Sequence, residues 1–163
     1  MKNRDIFFVY DFIREPNVKL YCDLLDYSLK FCCLATLVIR KDLKTSPNVD
    51  IILKKLEPYL IEIKDTKEWP GTVLYSDTAK LYKFNLNKIS NEIFKNSTNG
   101  LYGWIQPHAP EDLCLLRKDE KPFLVTISHE KDAYLQVTDI ELNELFNCIP
   151  GIRACLRKNG IAK

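Results

Sequence analysis

Histidine is scarce in this chain: among 163 residues there are two, His108 and His129. Six cysteines accompany them, at positions 22, 32, 33, 114, 148 and 155, with no Cys-x-x-Cys pair. A structural zinc site is announced by cysteine and histidine ligands at short spacings, so no metal site is expected. Glycine is scarce too. The five present form neither a Gly-x-Gly-x-x-Gly fingerprint nor a Walker loop, which argues against a nucleotide, and no cofactor of any kind is expected. Long apolar runs are missing: no stretch approaches the roughly 18 uncharged residues that span a bilayer. Residues Met1 to Asp5 meet an acid before the apolar run Ile6 to Tyr10, which is too short for the core of a signal peptide. The expectation is a cytoplasmic chain without a membrane partner. Its cysteines are then free thiols rather than a disulfide framework. The adjacent Cys32 and Cys33 are read either as a redox pair or as small buried thiols.

What is present describes a globular chain. Apolar residues make up 46% and charged residues 28%, enough apolar surface for one hydrophobic core, and the expectation is a single domain over residues 1–163. The net charge of +2 is too small for a nucleic-acid footprint, so nucleic acid is not an expected partner. The charge is unevenly spread. Pro107 to Glu144 holds nine acids against four bases, a formal −5, and the residues after Pro150 hold Arg153, Arg157, Lys158 and Lys163 with no acid. Solvated faces produce such runs, and so does a binding surface.

Periodicity predicts an α+β fold. Asp5 to Phe12 reads as a strand. Asn17 caps a helix on Leu20, Leu24, Tyr27 and Phe31, and the continuous apolar run Leu34 to Arg40 is a strand covered on both faces. This is an N-terminal strand-helix-strand unit. Ser46-Pro47 starts a second helix, with serine as N-cap and proline at the first helical position. Pro58 ends that helix, and Tyr59, Ile61 and Ile63 alternate as in a strand. Trp69-Pro70-Gly71-Thr72 reads as a tight turn in which Gly71 takes positive φ. Val73 to Tyr75 and Lys80 to Phe84 are read as strands, and Asn87 to Lys95 as a short helix on Ile89, Ile93 and Phe94. Leu113 to Arg117, Phe123 to Ser128 and Ala133 to Val137 make a three-stranded antiparallel meander. Thr138-Asp139-Ile140-Glu141 is a capping box opening a helix on Ile140, Leu145, Phe146 and Ile149. The tail from Ile152 reads as a further helical turn stopped at Asn159-Gly160. A mostly antiparallel sheet packed by about four helices follows. The apolar row Phe123, Val125, Ile127 is expected to face the last of these helices.

Chemistry finds few footholds. His129 stands at a strand end beside Glu130 and Asp132, where a carboxylate could orient the ring and Cys114 or Ser128 could serve as nucleophile. His108 lies in the loop Gln106 to Pro110. A loop histidine beside acids is also an ordinary exposed residue. Trp69 and Trp104 are either core filler or, with the acids Glu111 and Asp112, an aromatic anchor with a charged rim. Asp119, Glu120, Glu130 and Asp132 extend that acidic surface.

The stretches Trp69 to Thr72, Leu101 to Pro107, Pro110 to Cys114 and Thr126 to Leu135 resemble a group of small uncharacterised bacterial proteins, some of them labelled as stage III sporulation protein AH-like. The resemblance covers roughly residues 69 to 150. It implies no established activity, so no catalytic residue is carried over. A looser, architectural likeness links the chain to immunity proteins of the SMI1/KNR4 type, which also finish with a meander and a capped helix. The resulting expectation is a non-enzymatic protein-interaction domain of the immunity or antitoxin-like kind, whose acidic segment meets a basic partner. The alternative is a small hydrolase or transferase using His129 with Glu130, Asp132 or Cys114.

Overall fold

The computed structural model describes residues 5–163. The α+β class is as expected, built on one large antiparallel sheet. In chain order the elements are β1 (Phe8–Phe12), α1 (Val18–Ser28), β2 (Cys32–Arg40), α2 (Pro47–Leu56), β3 (Leu60–Thr66), β4 (Glu68–Trp69), β5 (Thr72–Val73), β6 (Ala79–Asn85), α3 (Lys88–Ser97), β7 (Glu111–Arg117), β8 (Pro122–Ile127), β9 (Asp132–Val137), α4 (Asp139–Cys148) and β10 (Leu156–Ile161). Eight strands join in the order β10-β1-β9-β8-β7-β2-β6-β3, and β4 and β5 form a separate hairpin. Each pairing in the large sheet is antiparallel. Four reversals separate β1 from β2, so the two run in the same direction with the meander β7-β8-β9 inserted between them. The strand-helix-strand unit is therefore split. No described helix is long and apolar enough to cross a membrane.

All four helices contribute to one core on one face of the sheet, through residues such as Leu24, Ile52, Phe94 and Leu145 against Leu37, Leu115 and Leu135. The opposite face carries two smaller apolar clusters, one of Val38, Trp69, Ala79 and Leu81 and one of Cys114, Leu116, Val125 and Ile127. The β4–β5 hairpin covers this second face. A side chain at Gly71 would come within 2.7 Å of Ile127, so the turn presses directly on β8. Gly71 takes φ 87°, the positive value the turn needs. Strand β2 is thus covered on both faces, by helices on one side and the hairpin on the other.

Caps fix several helix ends. Asn17 accepts from the Leu20 amide, Asn87 forms a capping box with Ser90, and Thr138 forms one with Glu141. Ser46 occupies the N-cap position, but its hydroxyl makes no cap bond.

Other expectations need correction. Strand β1 begins at Phe8 rather than Asp5. α1 ends at Ser28, and Phe31 lies beyond it, stacked on Phe123. Ile89 and Ile140 are exposed, because α3 turns Ser90, Asn91 and Phe94 inward and α4 turns Leu142 and Leu145. The apolar row of β8 is divided: a bulge where Leu115 and Leu116 meet β8 sends Phe123 to the helix side, while Val125 and Ile127 lie under the hairpin. Leu124 is the residue paired toward the helices. The tail is a 3-10 helix, Pro150–Cys155, followed by β10, which runs through Asn159 and Gly160 to pair with β1.

Candidate functional site

The most built group of polar side chains lies where β7 begins. Consecutive residues on a strand point to opposite faces, so Glu111 and Asp112 would ordinarily diverge. Here the β2–β7 register slips between Thr36 and Val38, with Glu111 opposite Val38, and Asp112 takes φ 56°. This bulge with a left-handed residue turns both carboxylates toward one place, and carboxylate atoms of Glu111 and Asp112 lie with a ring nitrogen of His129 all within 4.8 Å of one another. Aspartate is among the few residues that tolerate such a φ.

Glu111 and Asp112 are both 0% exposed. The Asp112 carboxylate is well served: Trp69 Nε1 donates to Oδ2 at 2.8 Å and the Ser128 amide donates to Oδ1 at 2.8 Å. One side chain therefore ties the hairpin to the end of β8. Glu111 is served poorly. Its Oε1 accepts from the Gln106 amide at 3.3 Å, and its Oε2 is buried with no partner among the described residues. Burial pushes the Glu111 carboxyl above its ordinary range, and the neighbouring Asp112 charge pushes it further. Burial likewise raises Asp112, against the two donated hydrogen bonds, which pull it down. Arg40 and His129 favour the ionised forms more weakly. The Arg40 guanidinium is itself engaged by Asp42.

The sequence-derived candidates are redistributed by this geometry. The proposed aromatic anchor and acidic rim are not at the surface. Trp69 is buried in the hairpin cluster, and Trp104 is buried in the helix-side core, where its Nε1 donates to the Tyr21 hydroxyl at 3.0 Å. Glu111 and Asp112 are inside because the bulge turns them there. Asp119 and Glu120 occupy the β7–β8 turn, whereas Glu130 and Asp132 lie at the β8–β9 turn, the opposite end of an antiparallel pair. The acids of residues 107–144 thus do not share one face. Cys114 is fully buried on β7, and desolvation pushes its thiol up to about 12, so it carries no thiolate at neutral pH. Ser128 is buried, with its hydroxyl donating to the Leu101 carbonyl. His129 is 35% exposed and stands 3.7 Å from Glu130, and Asp132 accepts from its neighbour's amide at Ala133. His108 is exposed in its loop and is not one of the three residues of the cluster. Cys32 is buried and Cys33 exposed, and all six thiols are free.

A second feature has the character of a binding surface. Strand β3 is an edge of the sheet, and its residues are largely exposed, with Ile61 and Ile63 at 49% and 47%. Beside it Leu53, Leu60, Ile63, Tyr82 and Phe84, together with the charged Lys54 and Glu57, line a mainly apolar groove of about 420 Å³. The other edge, β10, carries Arg157 and Lys158, and Lys158 lies over the Phe8 ring.

No family model matches the chain, and no curated protein or solved structure matches it.

Proposed function

We propose that this chain is a non-enzymatic protein-interaction domain that receives an extended segment of a protein partner along β3. The observation that carries the reading is the exposed β3 edge flanked by an apolar groove. An edge strand presents a row of backbone donors and acceptors, and natural proteins normally blunt such edges with charge or cover them. β10 is blunted by its cations and by a bulge opposite Val9 and Tyr10. β3 carries the charged Glu62, Lys64 and Asp65 as well, but Glu62 is held by Lys83 and Asp65 by Lys41 and Lys80. The strand has a bulge only at its start, between Leu60 and Glu62, and from Glu62 onward it runs in regular register with β6. A partner strand added there would gain main-chain hydrogen bonds, and its alternate side chains would enter the groove beside Ile63.

Charge has a smaller part in this reading than the count of acids implies, and a basic partner is not carried forward. The partner's chemistry is instead an extended chain with apolar residues at alternate positions. An immunity or antitoxin-like inhibitor works by such surface complementarity without chemistry of its own, and the buried state of Cys114 and Ser128 supports a role of that kind over the hydrolase alternative.

The test is capture from the native host with three forms of the chain. Ile63→Asp places a charge in the groove, and Ile140→Asp places one on the exposed face of α4. The expected result is a partner held by the wild type and by Ile140→Asp but lost by Ile63→Asp, with both variants showing wild-type circular dichroism. A partner retained by Ile63→Asp, or recovery of the chain alone at every salt concentration, contradicts the reading.

A further inference from the structure

We propose that Glu111, Asp112 and His129 bind one divalent transition-metal ion. The inference is independent of β3 and of the interaction role.

The ligand chemistry is that of a mixed oxygen and nitrogen site. Two carboxylates suit manganese and magnesium, and an imidazole shifts preference toward the first-row transition ions. The three donor atoms lie within 4.8 Å of one another. A metal with bonds of about 2.1 Å holds neighbouring ligand atoms about 3.0–3.4 Å apart, so the set closes by a movement of up to about 1.5–2 Å. His129 can make that movement, being 35% exposed on the turn after β8. Asp112 is held firmly by Trp69 and Ser128, whereas Glu111 is held by the single long bond from the Gln106 amide.

The buried oxygen Glu111 Oε2 is the independent sign of a ligand. Buried carboxylate oxygens are almost always hydrogen-bonded, and one left without a partner at full burial costs free energy unless something is bound there. Each Asp112 oxygen accepts one hydrogen bond and keeps a lone pair for a cation. A cation would also offset the mutual repulsion of two adjacent buried charges. Three protein ligands leave coordination positions open toward the exposed His129 side, for water or for a donor from outside.

Manganese is the better probe than zinc, because the exposed thiols of Cys33 and Cys148 compete for zinc. The experiment titrates the full chain with Mn²⁺, reading free ion by its electron paramagnetic resonance signal and stability by thermal unfolding. The expected result is one equivalent bound with an upward shift of the unfolding midpoint. Glu111→Gln and His129→Ala should each weaken binding by about tenfold or more, since even outer-shell partners of a metal are worth that much. His129→Ala keeps the test valid should Glu111→Gln fold poorly, because the His129 side chain is partly exposed on the turn after β8. Absence of binding at millimolar Mn²⁺, or equal binding by the wild type and both variants, overturns the proposal.

Discussion

Asp112 joins the hairpin, the start of β7 and the end of β8 through a single carboxylate. Asp112→Ala strands the Trp69 indole N–H and the Ser128 amide without acceptors, in a backbone conformation alanine dislikes, and is expected to cost about 2–4 kcal/mol in chemical denaturation. Asp112→Asn retains one acceptor and should cost about half as much. His129→Ala, by contrast, removes a partly exposed ring with no side-chain hydrogen bond among the described residues and should stay within about 0.5 kcal/mol of the wild type. Equal losses for Asp112→Ala and His129→Ala would mean that the histidine is a structural part of the cluster. Little of this cluster was legible in the sequence. Glu111, Asp112 and His129 each stood out, but the adjacent acids were read as the charged rim of an aromatic anchor, should a tryptophan be exposed, and not as a buried pair. The bulge that turns them together depends on how β7 meets β2, a pairing between distant parts of the chain that no local pattern encodes.

At the level of elements, local signals survived and facing did not. The Thr138 capping box is present as its spacing requires, with the Glu141 amide donating to Thr138 Oγ1 at 3.2 Å and the Thr138 amide donating to Glu141 Oε2 at 2.9 Å. Thr138→Ala should therefore cost about 1 kcal/mol. Glu141 has a second task that the motif does not reveal: it pairs with Arg117 through both oxygens, at 2.7 and 2.9 Å, and the two side chains are only 13% and 11% exposed. Glu141→Gln breaks the ion pair and leaves a desolvated guanidinium, so it is expected to cost about 3 kcal/mol, clearly more than Thr138→Ala. Parity between the two, measured by urea denaturation, would mean that the ion pair contributes nothing net. Ile89 and Ile140 show why facing was less legible. Both sit at apolar positions of helices whose inward face is chosen by the core they meet, and both fell outside it. Ile127 was correctly read as packed, but against the wrong neighbour. Ile127→Ala still removes buried methylenes and should cost about 2–5 kcal/mol, now because it opens a gap under the Gly71 turn.

Across the whole molecule, the chain closes on itself late. β1 pairs with β9 and β10, so the first strand is completed by the last part of the sequence, and Cys155 accepts the Ile13 amide while Phe7 accepts that of Ala162. Sequence periodicity yielded the α+β class and the meander, which are local. It could not place the meander between β1 and β2, nor find β10 in a basic tail with the marks of a helical turn. The result is a sheet with helices on one face, a small hairpin on the other and two buried acids beneath that hairpin. What is proposed for that end of the sheet depends on Glu111 and Asp112 lying inside as a desolvated pair, and global stability reports this directly. A carboxyl whose folded pKa is raised binds its proton more tightly in the folded state than in the unfolded one. The stability linked to it is therefore greatest below the ordinary carboxylate range, and it is lost as pH rises from there to the raised folded value. Exposed acids lowered by lysine or arginine partners, such as Asp65 and Glu120, act in the opposite sense and are common to all variants, so the difference between proteins isolates the pair. The decisive measurement is unfolding free energy against pH for the wild type and Glu111→Gln, with chelator present. The expected result is a wild type that loses stability relative to Glu111→Gln as pH climbs through and above the ordinary carboxylate range. Two curves that run parallel across that range would contradict a buried, costly carboxylate pair.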